Sequence, residues 1–434
     1  MIDAATRPPG SPDPGRGLPR VGPVRILHTS DWHLGRSFHR VGMLDAQAAF
    51  LDHLVEVVRA ERVDVVLVAG DVYDRALPGV DVVALLDDAL SRLTGAGATV
   101  VASSGNHDSA RRLGFAARLL ESARVHVRTD PARAAEPVLL SDAHGPVALY
   151  PLPYLEPALV AEGLGCARSH PAVLAAALGA VRADLAARAP GTRSVVAAHA
   201  FVVGGQGSDS ERDISVGGVA SVPAALFEGL GYVALGHLHG RQELAPTLRY
   251  SGSPLAYSFS EADHRKGTWL VELGADGVER VDAVPAPVPR PLAVLSGDLT
   301  DLLADPVHAR DERAWCQVTL TDPHRPAEAM QRLRTRFPHT LELRFAPRGA
   351  VEAARAGHAE RLAGRDDLEV CCGFVEHVRG RPATGEETRL LRSALEDVRR
   401  ADPEEQGAAA RRLAGRTVTL PPDRDPVPAR RAAG

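Results

Sequence analysis

From Val24 to Ala102 the chain alternates short apolar runs with stretches in which apolar residues recur every three or four positions. Val24 to His28 predicts a strand. Leu44, Leu51, Leu54, Val55 and Val58 then predict a helix. Val63 to Val68 predicts a second strand, Val82, Leu86, Leu90 and Leu93 a second helix, and Thr99 to Ala102 a third strand. This order implies a layered α/β domain. Further strands are expected at Val147 to Tyr150, Ser194 to Ala198, Tyr232 to Leu235 and Gly267 to Val271, and the alanine-rich stretch Pro157 to Ala187 is expected to be helical. A Pro-rich hinge, Val284 to Pro291, closes the domain.

Beyond the hinge, Leu292 to Ser296, Trp315 to Leu320 and Thr340 to Phe345 predict strands, with a helix at Pro326 to Phe337; together they form a small α/β module. Leu368 to Val378 places Cys371, Phe374, Val375 and Val378 at helical spacing. Thr384 and Glu387 then form a capping-box pattern ahead of Leu391, Leu395 and Val398. The expected division is a flexible leader over 1–23, a main domain over 24–283, a small module over 284–366, helices over 367–400, and a disordered tail over 401–434. The chain carries no internal repeat.

Composition narrows the class. With 434 residues and 45% hydrophobic content, the chain can bury a substantial core. No apolar stretch approaches the about 20 residues needed to cross a bilayer, and the leader resembles neither a signal peptide nor an anchor. The four cysteines, Cys166, Cys316, Cys371 and Cys372, are expected as free thiols in a reducing cytoplasm. A formal net charge of -5 does not advertise a nucleic-acid binder, although a local basic face remains compatible with it. Lys266 is the only lysine, an extreme that fits genomic base-composition bias toward arginine.

The candidate chemistry sits where predicted strands end: Asp31-Trp32-His33, Gly70-Asp71, Gly105-Asn106-His107-Asp108, His199 and Gly236-His237-Leu238-His239. Each motif alone has an ordinary reading. Asp-x-His is commonly solvated, Gly-Asp often makes a turn, a histidine closing a strand is usually buried and hydrogen-bonded, and Asn106-His107-Asp108 fits a locally bonded loop. Five such motifs in chain order, each at a strand end, point instead to a site for two divalent ions. Paired ions about 3.5–4 Å apart neutralise the anionic oxygens of a phosphodiester and activate water at neutral pH. A carboxylate able to bridge them is needed, and Asp71 is placed for that role. The mixed His, Asp and Asn donors favour manganese, iron or zinc over magnesium.

These motifs resemble the calcineurin-like metallophosphoesterase superfamily, whose fold is a β-sandwich flanked by helices. Within it, His28-Thr29-Ser30-Asp31-Trp32-His33-Leu34-Gly35, Gly105-Asn106-His107-Asp108-Ser109 and Tyr250-Ser251-Gly252-Ser253-Pro254-Leu255 are similar to the SbcD family of bacterial nuclease subunits. The similarity runs from about Val24 to about Arg399. It implies one metal held by Asp31, His33, Asp71 and His239, and a second by Asp71, Asn106, His199 and His237. His107 would contact the scissile phosphate or protonate the leaving oxygen, with Asp108 fixing its tautomer and orientation.

The resemblance further implies a metal-dependent nuclease, with manganese the favoured ion, that degrades double strands 3′ to 5′ and cuts single strands or hairpins in DNA replication, recombination and repair. The small module would cap the site and help to bind DNA, the C-terminal helices would dock on the ATPase SbcC through Leu391, Leu395 and Val398, and the chain would dimerise, as relatives do. Arg36, His39, Arg40, Arg75, Arg111 and Arg112 follow the ligand motifs and are candidates to grip backbone phosphates, as is Ser253. The chain holds no Gly-x-x-x-x-Gly-Lys-Ser/Thr loop, so any ATP dependence must come from a partner. The alternatives are a stand-alone phosphodiesterase for cyclic nucleotides or nucleotide sugars, and a non-catalytic DNA-end scaffold.

Overall fold

A strand that is apolar on both sides needs cover on both faces. In a computed structural model, which describes residues 22–211, 221–348, 365–379 and 381–400, the early strands have that cover. Val24–Thr29, Val65–Ala69, Thr99–Ser103 and Val125–Arg128 run parallel. Gly267–Gly274 joins antiparallel beside Val24–Thr29 and turns back into Gly277–Pro285, completing a six-stranded sheet. A second six-stranded sheet has the order Gln242–Ala245, Leu248–Tyr250, Tyr232–Gly236, Arg193–His199, Gly145–Pro151, Val138–Asp142, parallel in the middle and antiparallel at both edges.

Successive residues of a strand point to opposite faces. Ile26, Val65, Leu67 and Val101 therefore pack inward against Val147, Leu149, Val195, Ala197, Tyr232 and Ala234 of the other sheet. Their neighbours Leu27, Val66, Val68 and Val100 point outward and are covered by the helices Leu44–Glu61 and Val80–Gly95, through Phe50, Leu51, Leu54, Leu86 and Leu93. On the far side Val196, Ala198, Val233 and Leu235 pack against Val173, Leu174, Ala177, Leu178 and Val181 of the helix His170–Ala186. The result is the expected β-sandwich flanked by helices.

Several boundaries differ from expectation. The stretch Pro157 to Ala187 is two helices, Pro157–Val160 and His170–Ala186, because Gly163 and Gly165 interrupt it and Ser169 caps the second by accepting from the Ala172 amide at 3.3 Å. The strand Gly277–Pro285 takes the first residues of the expected hinge. Its polar, half-exposed sequence hid it from the apolar pattern.

Leu292–Gly297, Trp315–Leu320 and Thr340–Phe345 form a separate parallel sheet with the helices Leu299–Ala304 and Ala329–Arg336 around Leu295, Leu302, Val318, Leu333 and Phe337. The chain divides into two compact units, Met1–Ala346 and Pro347–Gly434. Taken by itself, the second contains the helices Asp367–Arg379 and Gly385–Arg400. The capping box forms as expected: the Thr384 amide donates to Glu387 at 2.8 Å and the Glu387 amide to Thr384 Oγ1 at 3.3 Å. Leader residues 1–21, residues 349–364 of the small module, the tail 401–434 and the Val398 side chain lie outside the described residues. All four cysteines are free thiols. Among the described residues no helix is long and apolar enough to cross a membrane.

Candidate metal centre

Parallel strands deliver their carboxyl ends to one rim of the sandwich. Asp31 and His33 follow Val24–Thr29, Asp71 follows Val65–Ala69, Asn106 and His107 follow Thr99–Ser103, His199 closes Arg193–His199, and His237 and His239 follow Tyr232–Gly236. The turns there are unusual. Asp31, His33, Asp71 and His237 all hold positive φ (52°, 45°, 49° and 99°), a conformation that non-glycine residues adopt at a cost and that concentrates at functional sites. Two glycines admit the close approach. A Cβ on Gly105 would lie 2.1 Å from Asp71 Oδ1, and one on Gly70, itself at φ +88°, would lie 2.3 Å from His199 Nδ1.

The donor atoms converge. His33 Nε2 lies 3.0 Å from His239 Nε2 and 3.6 Å from Asp71 Oδ2. On the other side His199 Nε2 lies 3.4 Å from the same Asp71 oxygen and 2.9 Å from Asn106 Oδ1, which is 3.3 Å from His237 Nδ1. Asp31, His33 and His239 form one cluster able to hold a metal, and Asp31, Asp71 and His199 another; all of these residues are buried. The His199 ring is oriented from behind, because its Nδ1 donates to the Ala69 carbonyl at 3.0 Å and leaves Nε2 facing Asp71. The Asp31 carboxylate accepts from the His237 amide at 3.0 Å and from Ser30 Oγ at 2.5 Å.

Charge in this pocket calls for a cation. Burial opposes ionisation of Asp71, yet His199 and its hydrogen bond outweigh that and hold the carboxyl well below its usual range. Burial likewise opposes a charged His199, yet Asp71 and Asp31 push it up to about 9. Asp71 and His199 thus favour each other's charged forms. Burial lowers His237 to about 3, with His199 adding to the effect, and keeps His33 well below its ordinary value, so both rings are neutral donors. The two imidazole Nε2 atoms of His33 and His239 face each other at 3.0 Å, a pairing that suits a shared cation.

Two expectations are corrected. Asp108 does not supply the bond that orients His107: its oxygens accept from the amides of Val72 (3.1 Å), Tyr73 (2.9 Å) and Gly105 (2.9 Å), clamping the two ligand loops together. His107 Nδ1 bonds the Asp74 carbonyl at 2.8 Å, and its ring packs edge-on to His33. Ser253 is not a phosphate contact. It is fully buried, donates to the Leu255 carbonyl at 2.7 Å and accepts from Lys266 at 2.9 Å.

The expected arginine fringe is mixed. Arg36 is turned inward, donating to the Ser210 carbonyl at 2.7 Å and lying over the Tyr257 ring. His39, Arg40, Arg75, Arg111 and Arg112 are exposed, with Arg112 also donating to the Ala76 carbonyl. The residues behind the candidate ligands belong to no sequence motif. Gln47 binds the His33 carbonyl at 2.8 Å and the Tyr257 hydroxyl at 3.0 Å, while Ser210, Glu261 and Lys266 gather behind His239. A buried polar residue on an otherwise apolar helix face was the available signal for Gln47.

Comparison with known families agrees with this geometry. Residues 24–241 match the calcineurin-like phosphoesterase family, and residues 288–379 match the SbcD C-terminal family, described as the type 5 capsule protein repressor C-terminal domain. Partial structural likenesses include TT1561 of Thermus thermophilus (13% identity, 61% of this chain and 99% of that one, TM-score 0.35). Another is GAP50, the anchor in the inner membrane complex of Plasmodium (11% identity, 76% of this chain and 98% of that one, TM-score 0.34). At these scores they add nothing to the family match. The chain belongs to the calcineurin-like phosphoesterases, metal-using hydrolases of phosphoesters. Its second match makes it an SbcD-type member of that superfamily.

Proposed function

We propose that this chain is the nuclease subunit of an SbcD-type complex: a manganese-dependent enzyme that, with the ATPase SbcC, degrades DNA ends 3′ to 5′ and cuts single strands and hairpins. The observation that carries the reading is Asp71, whose one oxygen stands 3.6 Å from His33 and 3.4 Å from His199, imidazoles on opposite sides of the pocket. Asp31, His33, Asp71 and His239 would hold one ion, and Asp71, Asn106, His199 and His237 the other. Bound there, divalent cations neutralise a phosphodiester's anionic oxygens and bring water's ionisation near neutrality. The mixed imidazole, carboxylate and amide donors favour manganese, iron or zinc over magnesium, and the SbcD-type resemblance selects manganese among them.

The protein's own groups do the rest. A carbonyl only accepts, so His107 Nδ1 carries the proton bonded to Asp74; with the ring as imidazolium, Nε2 would give its own proton to the departing sugar oxygen and leave the neutral Nδ1–H ring. Asp108 fixes the His107 loop against the Asp71 loop, which makes it a positioning residue. Exposed His39, Arg40, Arg75, Arg111 and Arg112 supply the phosphate grip. In this proposal residues 24–283 are the nuclease domain, 284–366 cap it and contact DNA, and the helices of 367–400 dock on SbcC. The match over 288–379 supports this reading over a stand-alone small-molecule phosphodiesterase, which has no use for an SbcD C-terminal part.

The test is purified protein on labelled hairpin DNA with manganese, with and without SbcC and ATP. Cleavage that requires manganese and is stimulated by SbcC and ATP is expected. Rapid turnover of small diesters with no cleavage of DNA under any condition would reject the proposal.

A further inference from the structure

Behind His239 lies a buried ionic relay. His239 Nδ1 is 2.6 Å from Ser210 Oγ and 3.3 Å from Glu261 Oε1, and Ser210 Oγ bonds that same Glu261 oxygen. A carboxylate only accepts, so the serine proton points to Glu261 and its lone pair accepts from Nδ1–H. The direction of the relay is thereby fixed: Nδ1 carries hydrogen and Nε2 carries the lone pair. That Nε2 is the atom facing His33. Glu211 also pins the loop, accepting from the His239 amide at 2.8 Å.

Glu261 is held in turn by Lys266, which is buried. An ammonium offers three donors and no acceptor, and here each finds one partner: the His239 carbonyl at 2.9 Å, Ser253 Oγ at 2.9 Å and Glu261 Oε2. Arginine's planar fork does not reproduce three divergent bonds from one atom. Among fifty basic residues this is the single lysine, so the position resists the arginine bias that governs the rest of the chain.

We propose that Glu261 and Lys266 are positioning residues for the metal centre: the ion pair, acting through Ser210, locks His239 in the tautomer that presents Nε2 to a divalent cation. The inference rests on the metal-centre reading given above and adds to it residues remote in sequence from any ligand motif. Partners behind a ligating histidine typically change metal affinity about 10- to 100-fold when removed.

Three variants and three readouts test it. In the metal-free protein labelled with 15N-histidine, His239 is expected to show the Nδ1–H tautomer, and Glu261→Gln is expected to abolish that preference. In Mn2+ titration by calorimetry and electron paramagnetic resonance, the parent is expected to bind two ions, with one weakened about 10- to 100-fold in the folded Glu261→Gln protein. Lys266→Met alone strands a buried carboxylate and is expected to lower thermal stability. The double variant Glu261→Gln/Lys266→Met removes both charges, and is expected to recover stability while keeping the weak affinity. An Nε2–H tautomer in the parent, or Mn2+ affinity equal to the parent's in folded Glu261→Gln, overturns the proposal. A parent that takes up no Mn2+ defeats the metal-centre reading, and the tautomer readout still decides the relay.

Discussion

The two ends of the sandwich are built on opposite principles. At the amino ends of the strands one buried ion pair ties the sheets together. Arg193 makes five hydrogen bonds, two to Asp142 and the others to the carbonyls of Gly145, Leu273 and Gly274, while Asp142 also accepts from the Val24 amide. Charge there is paired, and none of Val24, Asp142 and Arg193 holds positive φ. At the carboxyl ends four candidate ligand residues hold positive φ, imidazoles face one another, and His199 Nε2 lies 3.4 Å from Asp71. The first end has the marks of a structural clamp. The second bears backbone strain and facing imidazoles that make sense when a ligand completes it.

Substitutions at the two ends should therefore separate activity from stability. The largest effect is expected from Asp71→Asn, which removes the oxygen charge common to both halves of the pocket. Cleavage of a phosphodiester should fall to background and Mn2+ stoichiometry from two to at most one, while thermal stability is retained. His107→Leu should leave Mn2+ binding intact and lower turnover about 10²- to 10⁴-fold, the usual worth of a proton-transfer group. Loss of metal in that variant would place His107 among the ligands instead.

At the opposite end, Asp142→Ala leaves Arg193 buried without its counter-charge, a loss of about 3–5 kcal/mol in unfolding free energy with unchanged metal stoichiometry. Its pH dependence has a definite sign. Burial raises the Asp142 carboxyl, but Arg193 and the amides of His144 and Val24 outweigh it, so the folded value lies below the ordinary 3.8. Stability from this group is complete above that ordinary value and is lost as pH falls through the depressed one. Denaturant titrations from about pH 5 down to about pH 3 should show a steeper acid loss in the parent than in Asp142→Asn. The smallest effect belongs to the fringe: Arg111→Ala should weaken DNA binding and reduce the slope of log affinity against log salt by about 0.9. An unchanged slope would remove Arg111 from the interface.

Much of the site was legible because its ligands end apolar strands, and a run such as Val65–Ala69 followed by Gly70-Asp71 needs no tertiary information to be read. The sandwich was legible for the same reason: strands buried on both faces are apolar throughout. What escaped notice depends on contacts between distant segments. Glu261 and Lys266 sit in a polar stretch that reads as solvated surface, and only the fold buries them behind His239. The family resemblance implied Asp108 as the partner that orients His107, but its carboxylate turns away to the amides of Val72, Tyr73 and Gly105. The Asp74 carbonyl that orients His107 is backbone, and no residue type announces it.

The most direct test is anomalous scattering from crystals soaked in manganese. Two peaks sharing Asp71 are predicted, one beside Asp31, His33 and His239 and the other beside Asn106, His199 and His237. A pocket without density, or manganese bound only at unrelated surfaces, would contradict the account.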